Sequence, residues 1–249
     1  MDVQGKRIII TGGVRGIGRA IVEALIAKDA FVTVFDINAA GLAELRETHP
    51  TVNCIECDVS NYDQVTEAAT RYHAEYHAAN VLINNAGILF SAPLVRITPS
   101  GIEKHDLAMW NRTLATNLSS VFYMTASIVE KMITTRTKGV IVNISSISSF
   151  GNVGQSAYSA AKAAVNALTV TWSKELSPMG IRVVGVAPGF TDTESTKQAL
   201  NESILTETIK KVPLRRLGKP EEIAHGVIWA IENDFFNGKI LSLDGGLVL

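Results

Sequence analysis

The chain has 249 residues, of which 47% are hydrophobic and 19% charged, with a formal net charge of −1. That balance excludes the strongly basic surface of a nucleic-acid binder or a membrane-surface protein, and no apolar run reaches the roughly 18 residues of a membrane-spanning helix. The length fits one large α/β domain or two small ones, with enough chain to bury a sizeable core.

Met1-Asp-Val-Gln-Gly-Lys-Arg7 runs straight into a strand-like stretch and has no signal-peptide layout. A cytoplasmic location is expected. Lys6 to Thr11 is a β-branched apolar run, the mark of a strand buried on both faces of a parallel sheet. Glycines follow, and a helical pattern then places Ile17, Ala20, Ile21, Ala24 and Leu25 on one side. A second strand covers 30–36, a helix 39–48, a third strand 51–57, a helix 62–77 and a fourth strand 80–84. The stretch 88–108 carries Pro93, Pro99 and Gly101 without a clean period, so it reads as a loop with a short helix late on. A helix of about four turns is expected over 110–134. A fifth strand follows at 139–144, a small polar loop at 145–155, and a helix running to Leu176. Pro178 and Gly180 punctuate its end. A sixth strand spans 180–187, Pro188-Gly189 makes a turn, and 191–212 is polar with a weak helical signal. A helix opens with Pro220-Glu-Glu, good first-turn chemistry, and a last strand covers 239–243. Strands alternating with helices predict one doubly wound parallel sheet of seven strands over 1–249, with right-handed crossovers.

Cys54 and Cys57 form a C-x-x-C. On a strand, residues three apart face opposite ways, so they read as two reduced thiols and not a redox or metal pair. His73 and His77 share a helix face, but no third or fourth ligand accompanies them, so no metal site is expected.

Two places carry chemistry. Thr11-Gly-Gly-Val-Arg-Gly-Ile-Gly18 lies between a strand and a helix, where glycines let backbone approach a pyrophosphate at a helix N-terminus. Asp36 ends the second strand 18 positions after Gly18, where a carboxylate would hold a ribose 2′-hydroxyl. The same carboxylate repels a 2′-phosphate, so NAD is favoured over NADP, although the Arg15 cation pulls the other way. Tyr158 and Lys162 are four apart and share a helix face. An ammonium beside a phenol favours the phenolate, so the Tyr158 pKa is expected to fall from about 10 toward working pH, suiting it to general acid or base work.

Taken together and in order, these motifs resemble the short-chain dehydrogenase/reductase family with its Tyr-x-x-x-Lys centre, over essentially the whole chain. The resemblance covers the glycine motif Thr11-Gly12-x3-Gly16-x-Gly18, Asp58 on the third strand, Asn84-Asn85-Ala86-Gly87, Asn117 in Ala115-Thr-Asn-Leu118, and Pro188-Gly189 with Thr193. It implies hydride transfer between a nicotinamide and a secondary alcohol or ketone, with Asn117, Ser145, Tyr158 and Lys162 as catalytic residues. Ser145 is chosen over Ser146, Ser148 and Ser149 because it stands thirteen residues before Tyr158. Tyr158 would exchange the carbinol proton. Lys162 would lower the Tyr158 pKa and bond the nicotinamide ribose. Ser145 would donate to the substrate oxygen, and Asn117 would hold a water linking Lys162 to solvent. The implied cofactor contacts are Gly12, Arg15, Gly16, Ile17, Gly18, Asp36, Asp58, Val59, Asn85, Ala86, Gly87, Pro188, Gly189, Thr191 and Thr193, together with Tyr158 and Lys162. Thr191 stands where relatives often carry an aliphatic residue, so Thr193 is the better placed to meet the carboxamide.

The resemblance leaves the substrate open. The stretch from Gly87 to Asn117 is longer than in the compact 3-oxoacyl-carrier-protein reductases of the family, and 191–212 resembles its lid. Val153-Gly-Gln-Ser-Ala-Tyr158 and the ending Ile231-Glu-Asn-Asp-Phe-Phe-Asn-Gly238 with Leu243-Asp-Gly245 are similar to short-chain 3-hydroxyacyl-CoA/hydroxysteroid dehydrogenases. A 3-hydroxyacyl thioester is one expected substrate, and a cyclic alcohol, sugar or dihydrodiol is the other. His105, in the lengthened stretch, is a candidate to reach it. A non-catalytic nucleotide sensor or scaffold of this fold would typically have lost the Tyr or the Lys, and both are present. Ala160, Ala164 and Ala167 give the Tyr158 helix a face of small residues. The family packs that helix across a two-fold axis, so a homotetramer (or homodimer) is implied.

Overall fold

The computed structural model describes residues 1–199 and 202–248. Seven parallel strands form one sheet in the order β3 (Asn53–Glu56), β2 (Phe31–Asp36), β1 (Arg7–Thr11), β4 (Val81–Asn84), β7 (Gly139–Ile144), β8 (Ile181–Pro188) and β9 (Ile240–Leu243). The chain winds outward from β1 to β3, then crosses back to place β4 on the other side of β1. The crevice at that reversal, beyond the carboxyl ends of β1 and β4, is where such sheets bind ligands.

The strands are apolar on both sides because helices cover both faces. On one face, α1 (Gly16–Ile26), α2 (Ala39–Thr48) and α9 (Pro220–Glu232) bury Ile21, Leu25, Leu42, Leu45, Val227 and Ile231 against Ile8, Ile10 and Val34. On the other, α3 (Tyr62–Tyr76), α5 (Ser120–Thr134) and α6 (Ser156–Leu176) pack Val65, Tyr72, Met124, Ile128 and Leu176 on Ile9, Phe35, Leu82 and Ile141. Cys54 lies in the first core and Cys57 in the second, both as free thiols, so period-two alternation separates them as expected. His73 turns Nδ1 to the carbonyl oxygen of His77 (2.8 Å), inside the end of α3. Among the described residues no three His, Cys, Asp or Glu side chains group as metal ligands, and no helix is long and apolar enough to cross a membrane.

Two stretches differ from the sequence expectation. Within 88–108 the chain forms an antiparallel hairpin, β5 (Val95–Thr98) and β6 (Gly101–Lys104), before α4 (Leu107–Leu114). The Pro99-Ser-Gly101 that reads as a loop breaker is the hairpin's turn. The helix expected over 110–134 is interrupted: α4 passes into a π-helical turn, Ala115–Ser119, before α5 begins. Beyond β8 lie α7 (Glu194–Ala199) and α8 (Glu202–Lys211), in the stretch expected to act as a lid; its residues 200–201 lie outside the described residues.

Candidate active site

The glycine turn after β1 is held shut by its own neighbours. Gly12 has φ +69°, and a Cβ there would stand 2.9 Å from the Ala86 Cα. A Cβ on Gly18 would stand 1.9 Å from the Gly12 carbonyl oxygen, so α1 can start this close to β1 only with glycine there. Asn85 donates from Nδ2 to the carbonyl oxygens of Thr11 (3.0 Å) and Gly12 (2.8 Å). In return the Thr11 hydroxyl accepts from the backbone N–H of Asn85 and of Ala86. The Gly12–Gly18 turn and Asn85-Ala86-Gly87 are therefore one bonded unit, although more than 60 residues apart in sequence.

Arg15 occupies the N-cap of α1, and its exposed side chain makes no capping bond. The first N–H groups of the helix, at Gly16, Ile17 and Gly18, thus have no side-chain cap and suit a phosphate. Asp36 is buried at the end of β2, accepting from Val14 N–H at Oδ2 and Asn38 N–H at Oδ1. A carboxylate fixed at the rim of the glycine turn, beside an uncapped helix start, fits the ribose and pyrophosphate of a dinucleotide. Asp58 spends Oδ1 on the backbone N–H and hydroxyl of Ser60, and the Val59 side chain is buried in the second core. Val59 can therefore offer a ligand only its backbone. Across the crevice, Gly189 N–H continues the ladder to the Leu243 carbonyl oxygen. Thr191 is buried with its hydroxyl on the Gly189 carbonyl oxygen. Thr193 lies over the turn, its Cγ2 3.6 Å from where a Gly16 Cβ would be. Of the two threonines, Thr193 is the one that faces the glycine turn.

The proton-handling end forms where β7 ends and α6 begins. Tyr158 and Lys162 lie in the first two turns of α6, with the Lys162 Nζ 5.7 Å from the phenol ring centroid. Lys162 is buried and donates from Nζ to the Ile144 carbonyl oxygen (2.6 Å). Burial lowers its pKa to about 8. The Tyr158 pKa moves opposite to expectation: burial pushes the phenol up, and a hydrogen bond with the Ser146 hydroxyl opposes the rise. The ammonium stands over the ring, turned toward a carbonyl, and gives the phenolate no direct partner.

The serine at the phenol also differs from the expected one. Ser145 extends the β7–β8 ladder through its N–H to the Val186 carbonyl oxygen (2.7 Å), and its buried hydroxyl donates toward the Lys162 carbonyl oxygen (3.4 Å). Ser146, next along in extended conformation (φ −166°, ψ 155°), accepts from the Ser148 N–H (3.1 Å) and is the serine that acts on the Tyr158 phenol. Counting thirteen back from the tyrosine selects Ser145. Alternation along β7 also sends Ser145 to the α6 side, with Ile141 and Asn143, so no sequence signal singles out Ser146.

Asn117 is fully buried in the π-helical turn. Its Oδ1 accepts from Ile88 N–H (2.8 Å) and its Nδ2 donates to the Ile88 carbonyl oxygen (2.7 Å), so it pins the chain where it leaves Gly87. π-helical turns commonly mark functional positions, because the extra residue re-aims side chains.

Residues 6–203 match the family model for short chain dehydrogenases. The 3-oxoacyl-[acyl-carrier-protein] reductase FabG of Chlamydia trachomatis serovar D is 37% identical over 250 residues, covering 97% of both chains. The sorbitol-6-phosphate 2-dehydrogenase of Klebsiella pneumoniae is 32% identical, covering 99% of this chain and 97% of that one. The aldohexose dehydrogenase of Thermoplasma acidophilum, solved in ligand-free form, superimposes with a TM-score of 0.85 at 31% identity, covering 99% of this chain and 95% of that one. A parallel sheet with a glycine turn at its reversal and a tyrosine–lysine helix beside it thus stands in a chain whose full length matches oxidoreductases, and the protein belongs to the short-chain dehydrogenase family as an oxidoreductase of secondary alcohols and ketones that works with a nicotinamide cofactor.

Proposed function

We propose that the protein is an NAD-linked dehydrogenase in which Tyr158, with the buried Lys162 Nζ 5.7 Å from its ring centroid, exchanges the carbinol proton. That pairing carries the reading. A nicotinamide held between Asn85-Ala86-Gly87 and Thr193 would supply or accept the hydride. Ser146 donates to the substrate oxygen, where charge builds during transfer. Ser145 positions the start of α6 through the Lys162 carbonyl. Lys162 holds positive charge beneath the phenol and meets the cofactor ribose. Asn117 fixes the turn at Gly87–Ile88, against which the cofactor and substrate meet, and its remaining N–H serves the water that links Lys162 to solvent. Gly12, Gly16, Ile17 and Gly18 carry the pyrophosphate, with Arg15 beside it. Asp58, the backbone of Val59, and Asn85-Ala86-Gly87 flank the adenine half. Pro188, Gly189, Thr191 and Thr193 close the nicotinamide half.

The choice of NAD rests on Asp36. Its two backbone bonds hold the carboxylate at the turn, where it accepts from a ribose diol and repels a 2′-phosphate. The substrate is a small molecule with a secondary hydroxyl. A 3-hydroxyacyl thioester and a cyclic alcohol or sugar are the two classes, and relatives named for a carrier-bound 3-oxoacyl group and for sugars support one each. The assembly is a homotetramer, and the protein acts in the cytoplasm.

A panel of secondary alcohols with NAD⁺ and NADP⁺, followed by reduced-cofactor absorbance, tests the cofactor assignment. At least a tenfold preference for NAD⁺ is expected, narrowing or reversing in Asp36→Ala. Equal use of both cofactors by the parent enzyme contradicts it.

A further inference from the structure

A chain of four buried polar side chains crosses the half of the sheet that carries the proposed catalytic groups. Asn84 and Asn143 are register partners on β4 and β7. Each stands two residues beyond a core residue, Leu82 and Ile141, so both face the layer of α5 and α6. Asn84 donates from Nδ2 to Asn143 Oδ1 (2.9 Å) and to the Thr125 hydroxyl of α5 (3.0 Å). Asn143 donates from Nδ2 to the Thr169 hydroxyl of α6 (2.9 Å), which donates to the Val165 carbonyl oxygen (2.8 Å). Asn143 and Thr169 are fully buried. Asn84 Oδ1 has no partner, whereas every side-chain oxygen and nitrogen of Asn143 and Thr169 is bonded. A bonded polar group in a core fixes one arrangement of the elements it joins, because any slip would leave it buried and unpaired.

Thr169 stands seven residues beyond Lys162, about two helical turns, so both side chains project from one face of α6. That face is fastened to three consecutive residues of β7. Asn143 donates to Thr169, the Ile144 carbonyl oxygen accepts from Lys162 Nζ (2.6 Å), and the Ser145 hydroxyl donates to the Lys162 carbonyl oxygen (3.4 Å). The last two fastenings belong to the site itself. The first lies beyond it, out of reach of substrate and cofactor.

We infer that Asn143 and Thr169 are positioning residues: their bond sets where α6 lies along and about its axis against β7, and so where Tyr158 and Lys162 stand in the crevice. The inference rests on the proposed Tyr158-centred alcohol oxidation and adds two residues that act on it through the helix. A misplacement of about 1 Å at the reacting atoms costs about a hundredfold in rate. A helix that slips by that much can keep its fold and its nucleotide while losing turnover.

Thr169→Val keeps the shape and removes the acceptor, while Thr169→Ser keeps the hydroxyl. Leu176→Ala loosens the same helix through lost packing alone. Each full-length variant is assayed with NAD⁺ and the secondary alcohol that the parent oxidises best, beside NADH titration and urea melts. Thr169→Val is expected to lower kcat at least tenfold, with KM and NADH affinity within threefold of the parent. Thr169→Ser should keep kcat within threefold, and so should Leu176→Ala despite a lower urea midpoint. If Thr169→Val binds no NADH, Thr169→Cys takes its place, a weaker acceptor of similar size, with an expected loss of at least fivefold. A kcat within threefold of the parent in the variant so read, an equal loss in Thr169→Ser, or an equal loss in Leu176→Ala overturns the inference and leaves the alcohol oxidation standing. A parent that oxidises no secondary alcohol defeats that oxidation, and the inference with it.

Discussion

At the residue scale, the chemistry turns on how four side chains divide between two directions. Ser145 and Ser146 are adjacent on an extended backbone, so they face opposite sides. The Ser145 hydroxyl reaches the Lys162 carbonyl oxygen, and Ser146 is the serine that opposes the rise in the Tyr158 pKa. Ser146→Ala is expected to lower kcat/KM by about a hundredfold or more, the scale of losing a donor at a developing oxyanion. Ser145→Ala should lower it by less than tenfold. The reverse order would return the role to Ser145. Which of four crowded serines acts on the tyrosine was half legible in the sequence: spacing found the segment, but alternation along β7 sends Ser145 to the α6 side and does not pick Ser146. The ionisation of the pair was not legible, because burial depends on the whole fold. Lys162 titrates near 8 in the folded protein and near its ordinary 10.5 when unfolded. Between those values the unfolded chain binds more protons, so the parent gains stability as pH rises. Below about 8 it carries the full disadvantage of a buried ammonium. Lys162→Met is therefore expected to be more stable than the parent in urea melts at pH 7, with the gap closing by pH 10. A gap that does not change with pH would contradict the lowered pKa.

At the element scale, the strands and most helices were legible because each carries one clean period. The β1, β4, β7 and β8 runs are apolar over most of their length, as strands covered on both faces are, with Asn84 of β4 bonded to Asn143 of β7. The hairpin β5–β6 was not. Its strands are four residues each and exposed, so no burial pattern marks them, and its turn uses the proline and glycine that also mark loops. Cross-strand Ile97 and Ile102, and an Arg96–Glu103 ion pair, give the only signal. The π-helical turn was hidden for another reason: one extra residue per turn hardly disturbs a helical pattern, yet it is what brings Asn117 to Ile88. The outer sides of α5 and α6 carry apolar groups that the fold leaves uncovered, including Phe122, 53% exposed, and Val170. With Ala160 and Ala167 also exposed on α6, two copies can approach closely there. Sedimentation should give a tetramer, and Phe122→Glu should shift it to smaller species. A parent protein that sediments as a monomer would contradict this.

At the scale of the whole molecule, the topology puts a nucleotide cradle and a proton donor at opposite ends of one crevice. The reversal between β1 and β4 opens it, Asn85 seals the glycine turn to the chain after β4, and α6 delivers Tyr158 from the far side. Fold, family and cradle were legible because their motifs are short and local. What the site accepts was not, since the stretch 88–108 meets the start of α6 only through a tertiary bridge between Ala92 and Gln155. In the proposed reaction Tyr158 moves the proton while the rest of the crevice holds the cofactor. The most direct measurement is Tyr158→Phe, with kcat/KM and NADH affinity read on the same preparation. A loss of at least about a thousandfold in kcat/KM is expected, within the range for a positioned acid or base, with NADH affinity unchanged within twofold. Activity within tenfold of the parent at intact NADH binding would contradict it.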